Sequence, residues 1–496
     1  MSEKNRYWEI AWDIYPNSNS LQAMPHPTYK LPANWEAIPK TVDEETISDK
    51  MLELFARPRL GFCETISYDF PKTVHCVGSL GAGGAERQLV NFLIEMSKRG
   101  HHHQTLLTVY PPDGAAGHYA PLLKEYNIQL KTNNTPVTKA GIKIIRDNFE
   151  IVQAIKSIPF SFNAWVLDLW VELSLERPAI AHFWLDHSNI WGGVAAVLAG
   201  VPKVILSGRN VNPSNFPYLY KDYMKPWYTW LMACDNVEML NNSTEGAESY
   251  ADWLNLPRER IDVVLNGVNL EHLSPASPEE RAQIRASLNI PQDVPVVVGA
   301  FRLSEEKRPE LFVETFAKAK AAHPNIHAVH MGEGPYLDAV KAKVESLGLS
   351  NCFHLLGRRS DLAKVVTSMD VLLHTAFWEG TPNVVLEAQQ LCMPIVVTDA
   401  GGTKDAANDG ITGYCVPKLD EAMLAQRLSE VLADLPKWRE SAKAGQAFVR
   451  DRFSVERMVN ETLRVQKHGL ENLPIHPKLI RPKGFMARWW HDLVNS

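Results

Sequence analysis

The stretch 378–387, WEGTPNVVLE, contains residue types that could bind a phosphate and the groups attached to it. Thr381 is a favourable helix N-cap and Pro382 suits the first helical position, so we expect a helix to begin at about Pro382. The next free backbone N–H groups, on Asn383 and Val384, would then point out of a positively polarised helix end. Such an end is a ready site for phosphate.

Two glutamates eight positions apart lie on either side of this expected phosphate site. Glu387 follows Asn383 by one helical turn and shares its face, about 6 Å further along the axis. A carboxylate there can accept hydrogen bonds from the two hydroxyls of a ribose. Glu379 lies with Gly380 in the preceding loop, where it could hold hydroxyls on the other side of the phosphate. The stretch is typical of a clamp for a nucleoside diphosphate-sugar; the alternative is an ordinary capped helix with solvent-facing glutamates.

The elements that must position this stretch alternate between strand and helix over about residues 72–470. Apolar runs predict strands at 73–77, 104–110, 295–300 and 371–374. The continuous apolar run at 295–300 indicates a parallel sheet that is covered on both faces. The sequence therefore predicts α/β domains, which bind ligands at the carboxyl ends of their strands.

Two cations, Arg302 and Lys307, follow the strand predicted at 295–300. They lie five residues apart in a turn, at the carboxyl end of a strand, where an open α/β sheet binds its ligand. Exposed cations are usually only solvated, but this position favours a functional role.

Four stretches, in the same order, resemble the retaining family-four glycosyltransferases of the GT-B fold, of the bacterial polysaccharide or glycoconjugate type. They are the glycine loop G-G-A-E-R at 83–87, the histidine-containing strand end at 182–187, the R-L-x-x-E-K pattern at 302–307 and the E-x7-E motif at 379–387. Phe301 stands where the family has a glycine before the third pattern, which leaves both cations in place. The glycine loop alone would also fit a dinucleotide site, but the next strand ends without the acidic residue that holds a ribose.

The resemblance implies two doubly wound, Rossmann-like α/β domains that face each other across a cleft, with the donor held by the second. We expect an N-terminal extension at 1–70, an acceptor-side domain at 71–275, a donor-binding domain at 276–455, and a crossing helix with a basic, aromatic tail at 456–496. Residues 269–290 are predicted to link the two domains.

The matching positions imply roles for individual residues. Arg302 and Lys307 would neutralise the donor diphosphate. Glu379 would position the sugar and support the positive charge that develops at its anomeric carbon. Arg358 lies in the loop that corresponds to the family's wall for the nucleobase.

A histidine at the end of the strand near residue 182 would lie close to the transferred sugar. His182 is favoured, and His187 is the alternative. The expected catalytic residues are Glu379, Arg302, Lys307 and His182, and the expected donor-binding residues are Gly83, Gly84, Arg302, Lys307, Arg358, Glu379, Gly380, Thr381, Asn383, Val384 and Glu387.

The resemblance implies a retaining hexosyltransferase that uses no cofactor and moves a sugar from a UDP- or GDP-type donor to a glycan, lipid-linked or protein-linked acceptor. The chain contains no D-x-D triplet, so we expect the cations and the helix end to replace a metal in stabilising the departing diphosphate. No well-placed nucleophile can be named, so the acceptor hydroxyl is expected to attack from the leaving-group side. The alternatives are a nucleotide-sugar epimerase of similar two-domain shape and a non-catalytic binding or scaffold protein.

Composition narrows the class of protein. A chain of 496 residues is too long for one core. A hydrophobic content of 45% and a net charge of −6 are ordinary for a globular protein and give no sign of nucleic-acid binding. The six dispersed cysteines, without a C-x-x-C pair, indicate neither a zinc site nor a disulfide framework.

The termini bear on location. The N-terminus lacks a charged-then-apolar signal, and no apolar run approaches the ~18 residues that span a bilayer, so a cytoplasmic location is expected. Residues 474–496 are basic and include Trp489 and Trp490. Such a tail could contact the anionic inner face of a membrane; a loosely packed terminus is the alternative.

Overall fold

The computed structural model describes residues 71–132, 138–157, 160–268 and 273–470. The predicted extension at 1–70 and the tail at 474–496 lie outside these residues. The described chain forms two α/β domains, each built on a parallel sheet.

The first domain contains a sheet of seven strands within the described residues. The strands are β1 (Thr73–Val77), β2 (Gln104–Thr108), β3 (Gln129–Thr132), β4 (Ile180–Trp184), β5 (Lys203–Gly208), β6 (Val237–Asn241) and β7 (Ile261–Val263). Their order across the sheet is β3-β2-β1-β4-β5-β6-β7, and all pairs are parallel. The helices are α1 (Gly84–Lys98), α2 (Ala120–Glu125), α3 (Lys139–Asp147), α4 (Phe149–Ser157), α5 (Phe160–Glu176), α6 (Asp186–Leu198), α7 (Met224–Met232) and α8 (Thr244–Leu254).

Over residues 273–470, the second domain repeats this topology with six strands. They are β8 (Val296–Ala300), β9 (His327–Met331), β10 (Phe353–Leu355), β11 (Val371–His374), β12 (Ile395–Asp399) and β13 (Gly413–Pro417), in the order β10-β9-β8-β11-β12-β13. The helices are α9 (Pro278–Ser287), α10 (Pro309–Ala322), α11 (Leu337–Ser346), α12 (Leu362–Thr367), α13 (Asn383–Gln390), α14 (Thr403–Ala406), α15 (Glu421–Ala433), α16 (Leu435–Ala442) and α17 (Ala444–Phe453). The predicted pair of doubly wound domains is confirmed.

The central strands of each sheet are buried along their whole length because both faces of the sheet are covered. Successive side chains of a strand point to opposite faces. On β1, Val74 and Cys76 pack with α5 and α6, whereas Val77 packs with α1. This two-sided burial is what the continuous apolar runs predicted.

The predicted bounds differ from the structure at a few places. The strand predicted at 104–110 ends at Thr108, which pairs with Val77, the last residue of β1. The predicted linker at 269–290 contains α9, which begins with a capping box between Ser277 and Glu280. The S-x-x-E pattern at 277–280 is the sequence signal for this helix start.

The final described helix, α18 (Val455–Lys467), extends over the residues predicted for the crossing helix. Its residues Met458, Val459 and Val465 pack with α1 in the core of the first domain, although the helix follows the second domain in sequence. The chain thus returns to the first domain. None of the helices within the described residues combines the length and apolarity needed to cross a membrane.

Candidate active site

A cavity of about 380 Å³ lies between the two domains. Its walls are formed by loops that follow β1, β5, β6 and β7 of the first domain and β8 and β11 of the second. The strand order reverses between β1 and β4 and between β8 and β11, so the cavity adjoins both topological switch points. Its lining includes Gly84, Arg87, Arg209, Asn242 and Asn266 from the first domain, and Phe301, Arg302, Lys307, His374, Glu379, Gly380, Thr381, Asn383, Val384 and Glu387 from the second.

Helix α13 presents its N-terminus to this cavity. The helix begins at Asn383, with Pro382 as its N-cap, so the prediction of Thr381 as the cap was wrong. The Thr381 hydroxyl instead donates to the backbone carbonyl of Asn242 in the first domain. The backbone N–H groups of Asn383 and Val384 donate to no acceptor within the described residues. They form the positively polarised end that suits an anion.

The Asn383 side chain joins the two domains beside this helix end. Its Oδ1 accepts hydrogen bonds from Nε2 of Gln88 at 3.0 Å and from Nδ2 of Asn266 at 3.1 Å. Gly84 comes so near that a Cβ there would lie 3.1 Å from Asn383 Nδ2. The glycine loop therefore brings the start of α1 against the start of α13.

Glu379 is buried beside two partners from its own domain. It forms an ion pair with Lys307, and its Oε1 lies 3.0 Å from Nε2 of His374. Burial alone would raise the pKa of Glu379, but the charge of Lys307 and the hydrogen bond with His374 outweigh burial and lower that pKa to about 2. Glu379 is therefore ionised at neutral pH, and Lys307 is its ion-pair partner.

Glu387 is buried and pairs with a cation from the other domain. Nη1 of Arg87 lies 2.7 Å from Oε1 of Glu387, and the Arg87 side chain is 38% exposed. Burial raises the pKa of Glu387, and the charge of Arg87 opposes this rise. Because Arg87 lies in the first turn of α1, the first domain contacts the second at the position predicted for a ribose.

Arg302 lies exposed on the cavity wall just after β8. The ring of the preceding Phe301 is buried against His330 and His374, with centroids 4.5 Å and 5.5 Å away. Gly332, with φ 136°, permits the close approach of this backbone, because a Cβ there would lie 2.0 Å from the Phe301 carbonyl oxygen. The Phe301 ring thus lies in the core, whereas the Arg302 side chain is exposed at the cavity.

Neither predicted histidine lines the cavity. Strand β4 continues to Trp184, so His182 lies two residues inside the sheet, fully buried, with Nδ1 3.1 Å from Nε2 of Gln466 on α18. This corrects the expected role of His182, which is a core residue. His187 stacks on Trp191, with ring centroids 5.1 Å apart.

Two predicted donor-binding residues also lie outside the cavity lining. Gly83 is covered by Glu86, whose Oε2 would lie 2.0 Å from a Cβ at that position. Arg358 is exposed, and its backbone N–H lies 3.4 Å from Oε1 of Glu333. The other predicted donor-binding residues line the cavity, as described above.

Sequence reasoning missed several residues that line the cavity, namely Arg87, Arg209, Asn266 and His374. Two of them carried a usable signal. Arg87 belongs to the quoted glycine loop, and Arg209 follows the carboxyl end of β5 as Arg302 follows β8. In both domains, therefore, a cation at the carboxyl end of a parallel strand indicates the ligand site.

Two family matches cover most of the chain. Residues 82–272 match the family described as Glycosyltransferase Family 4. Residues 280–447 match the family described as Glycosyl transferases group 1. The two matches correspond to the first and second domains of the structure.

Two curated relatives are similar to this chain over most of their own length. The Vi polysaccharide biosynthesis protein VipC/TviE of Salmonella typhi is 27% identical over 421 residues, which are 79% of this chain and 70% of that protein. The UDP-Gal:alpha-D-GlcNAc-diphosphoundecaprenol alpha-1,3-galactosyltransferase of Escherichia coli is 25% identical over 293 residues, 58% of this chain and 73% of that protein.

Solved structures show the fold. Anabaena Alr3699/HepE, solved with UDP and glucose, superposes with a TM-score of 0.63 at 19% identity, covering 79% of this chain and 98% of that one. Sucrose-phosphate synthase from Thermosynechococcus elongatus gives a TM-score of 0.63 at 16% identity, covering 81% and 99%. The two family matches show that the chain is a glycosyltransferase of family four, and the solved structures show that its fold is GT-B.

Proposed function

We propose that this protein transfers a sugar from a nucleoside diphosphate donor to a glycan or glycoconjugate acceptor, with retention of the anomeric configuration and without a metal ion. One arrangement carries the proposal. The N-terminus of α13 faces the cavity between Glu379 on one side and Glu387 on the other, with Arg302 and Lys307 nearby. This matches an anion with hydroxyl-bearing groups at both ends.

In this proposal the chemistry at the donor is charge stabilisation. Arg302, Lys307 and the end of α13 bind the departing diphosphate, which gains negative charge as its bond to the anomeric carbon breaks. Glu379, held ionised by Lys307 and His374, faces the sugar and supports the positive charge of the transition state. The acceptor hydroxyl attacks from the side of the leaving group, and its proton departs with the diphosphate.

The names of the relatives support a donor and acceptor class. The Escherichia coli relative is named for a UDP-sugar donor and a diphosphoundecaprenol-linked acceptor. The Salmonella typhi relative is named for polysaccharide biosynthesis. We therefore propose a UDP- or GDP-sugar donor and a role in polysaccharide or glycoconjugate synthesis.

The proposal is tested by a thermal-shift screen of nucleotide-sugars, followed by assays of nucleoside diphosphate release with candidate acceptors. A glycosyltransferase should release nucleoside diphosphate only when a suitable acceptor is present and should form a new glycoside. An epimerase would convert the donor sugar with no acceptor. A scaffold protein would bind the donor without turnover.

Metal independence gives a separate prediction. Because cationic side chains are proposed to stabilise the diphosphate, turnover should persist in excess EDTA. The measurement is nucleoside diphosphate release before and after chelation. Loss of turnover that added Mn²⁺ restores would contradict the metal-free mechanism.

We also propose a cytoplasmic location and contact of residues 474–496 with an anionic membrane face. Each Lys or Arg near such a surface contributes ~1 kcal/mol. Deleting these residues should weaken co-sedimentation with anionic vesicles and leave sedimentation with neutral vesicles unchanged. Equal sedimentation of both proteins with anionic vesicles would exclude this role for the tail.

A further inference from the structure

Arg209 is a cation that the first domain presents to the cavity after the end of β5. Its guanidinium lies over the ring of Trp184, with Cζ 4.5 Å from the ring centroid. Trp184 in turn stacks on His182, with centroids 4.9 Å apart. The buried stack of rings therefore fixes the direction in which Arg209 points.

The hydrogen-bonding capacity of Arg209 is only partly used. Its Nη2 donates to Oδ1 of Asn266 at 3.0 Å, and its Nη1 lies 3.5 Å from Oγ of Ser207. Its Nε is buried and has no hydrogen-bond partner within the described residues. Donors are thus left over for a ligand.

The charge of Arg209 is also unbalanced. Burial lowers the pKa of Arg209 to about 9, while the charge of Glu86 acts in the opposite direction, so the group remains cationic at neutral pH. No described carboxylate lies within ion-pair distance of Arg209, so the charge of Glu86 offsets only part of the cost of burying this cation. A bound anion would offset this cost.

The cations on the cavity wall differ in whether they are paired with a carboxylate. Lys307 is paired with Glu379, and Arg87 is paired with Glu387. Among the described residues that line the cavity, Arg209 and Arg302 are the cations without a carboxylate partner. Arg209 is joined through Asn266 to Asn383, the first residue of α13. It therefore stands beside the helix end at which the diphosphate is proposed to bind.

We propose that Arg209 binds the diphosphate of the nucleotide-sugar from the first domain, as the counterpart of Arg302 on the second. This inference rests on the proposed function of the same site. As the bond between the anomeric carbon and the diphosphate oxygen breaks, the electron pair stays on that oxygen, and Arg209 stabilises the added charge. Because the two arginines belong to different domains, the leaving group is fully stabilised only when both domains enclose it.

Replacing the guanidinium by an uncharged chain of similar length tests the role. Arg209→Met is expected to weaken binding of UDP or GDP, whichever the wild-type protein binds, by about 10- to 100-fold, the effect of losing a hydrogen bond to a charged group. Binding of the corresponding nucleoside, which has no phosphate, should not change. Arg209→Lys, which keeps the charge, should recover part of the lost affinity. Titration calorimetry measures all three.

Two controls separate ligand binding from a structural effect. Arg450→Met removes an exposed cation on α17, outside the cavity lining, and should leave diphosphate affinity unchanged. Thermal unfolding of the unliganded Arg209→Met protein should resemble that of the wild type. If the variant is less stable, the comparison of diphosphate with nucleoside still isolates the phosphate contact.

Other outcomes would overturn the inference. Equal loss of nucleoside and diphosphate affinity would make Arg209 a structural support. Unchanged diphosphate affinity, with loss only for donors whose sugar bears a carboxylate, would place Arg209 on the sugar. A wild-type protein that binds no nucleoside diphosphate would overturn the proposed function together with this inference, whereas normal binding by Arg209→Met would overturn the inference alone.

Discussion

Glu379→Ala is expected to lower kcat by roughly 100-fold or more while leaving the affinity for free nucleoside diphosphate unchanged or higher. An interaction that strengthens as the anomeric carbon becomes positive is expressed in the transition state, and the loss of one such group typically costs about 10²- to 10³-fold. The structure adds a second effect. Lys307 loses its carboxylate partner in this variant, so its charge acts on the diphosphate without a competing carboxylate.

Glu387→Ala should give the opposite pattern. Glu387 lies one turn into α13, at the position proposed for the ribose, and should act equally on bound donor and transition state. Its loss should weaken both the donor and free UDP or GDP by about 1.5–3 kcal/mol, the value of a hydrogen bond to a charged group. Arg87, at 38% exposure, can turn to solvent when its partner is removed.

Calorimetry with the free nucleotide and steady-state kinetics with the donor distinguish the two variants. Glu345→Ala, at an exposed position on α11, is the matched control and should change neither quantity. If Glu379→Ala lost nucleotide affinity and kept its kcat, or if Glu387→Ala bound UDP and GDP normally, the two assignments would be wrong.

The second-domain half of the site could be predicted from the sequence because topology brings it together. Arg302 and Lys307 follow β8, and Glu379 follows β11, and these are neighbouring parallel strands. The carboxyl ends of neighbouring parallel strands meet at one edge of the sheet. Recognising the strands was therefore enough to predict that these side chains share a cavity.

For the first-domain half, the sequence offers Arg87 and Arg209 as candidates but does not predict that they face the same cavity as the second-domain residues. Arg87 and Arg209 reach the cavity only because the two domains dock, and no local pattern encodes a contact across more than 100 residues, such as that between Gln88 and Asn383. Thr381 was mispredicted for the same reason. Its hydroxyl donates to the Asn242 carbonyl of the other domain and does not cap its own helix.

The error at His182 has a different cause. A strand end can be placed in sequence only to within a few residues, and β4 continues two residues beyond this histidine. His182 and Trp184 therefore project from the same face of β4. His182 contacts Gln466 on α18, whereas Trp184, two residues further along, contacts Arg209 at the cavity.

Asp370 is expected to be a large contributor to the stability of the second domain. It is buried and pairs with three arginines: Arg285 at 2.6 Å, Arg281 at 3.0 Å, and Arg439. Its Oδ2 also accepts the backbone N–H of Val296 at 2.7 Å. The carboxylate thus joins α9, α16 and the first residue of β8, the strand that Arg302 follows.

Asp370→Asn keeps the shape and removes the charge, which leaves the fully buried Arg285 without a counter-ion. Breaking a buried ion pair in this way typically costs about 3–5 kcal/mol. The denaturant midpoint of the second domain should fall accordingly.

Asp451→Asn, which removes a carboxylate that is 71% exposed, is the control and should change the midpoint little. Because Asp370 contacts the start of β8 and the cavity lies at the end of that strand, the folded variant should bind nucleotide normally. A midpoint equal to that of the control would show that the arginines find other acceptors, and normal stability with weakened nucleotide binding would instead make Asp370 a positioning residue for the site.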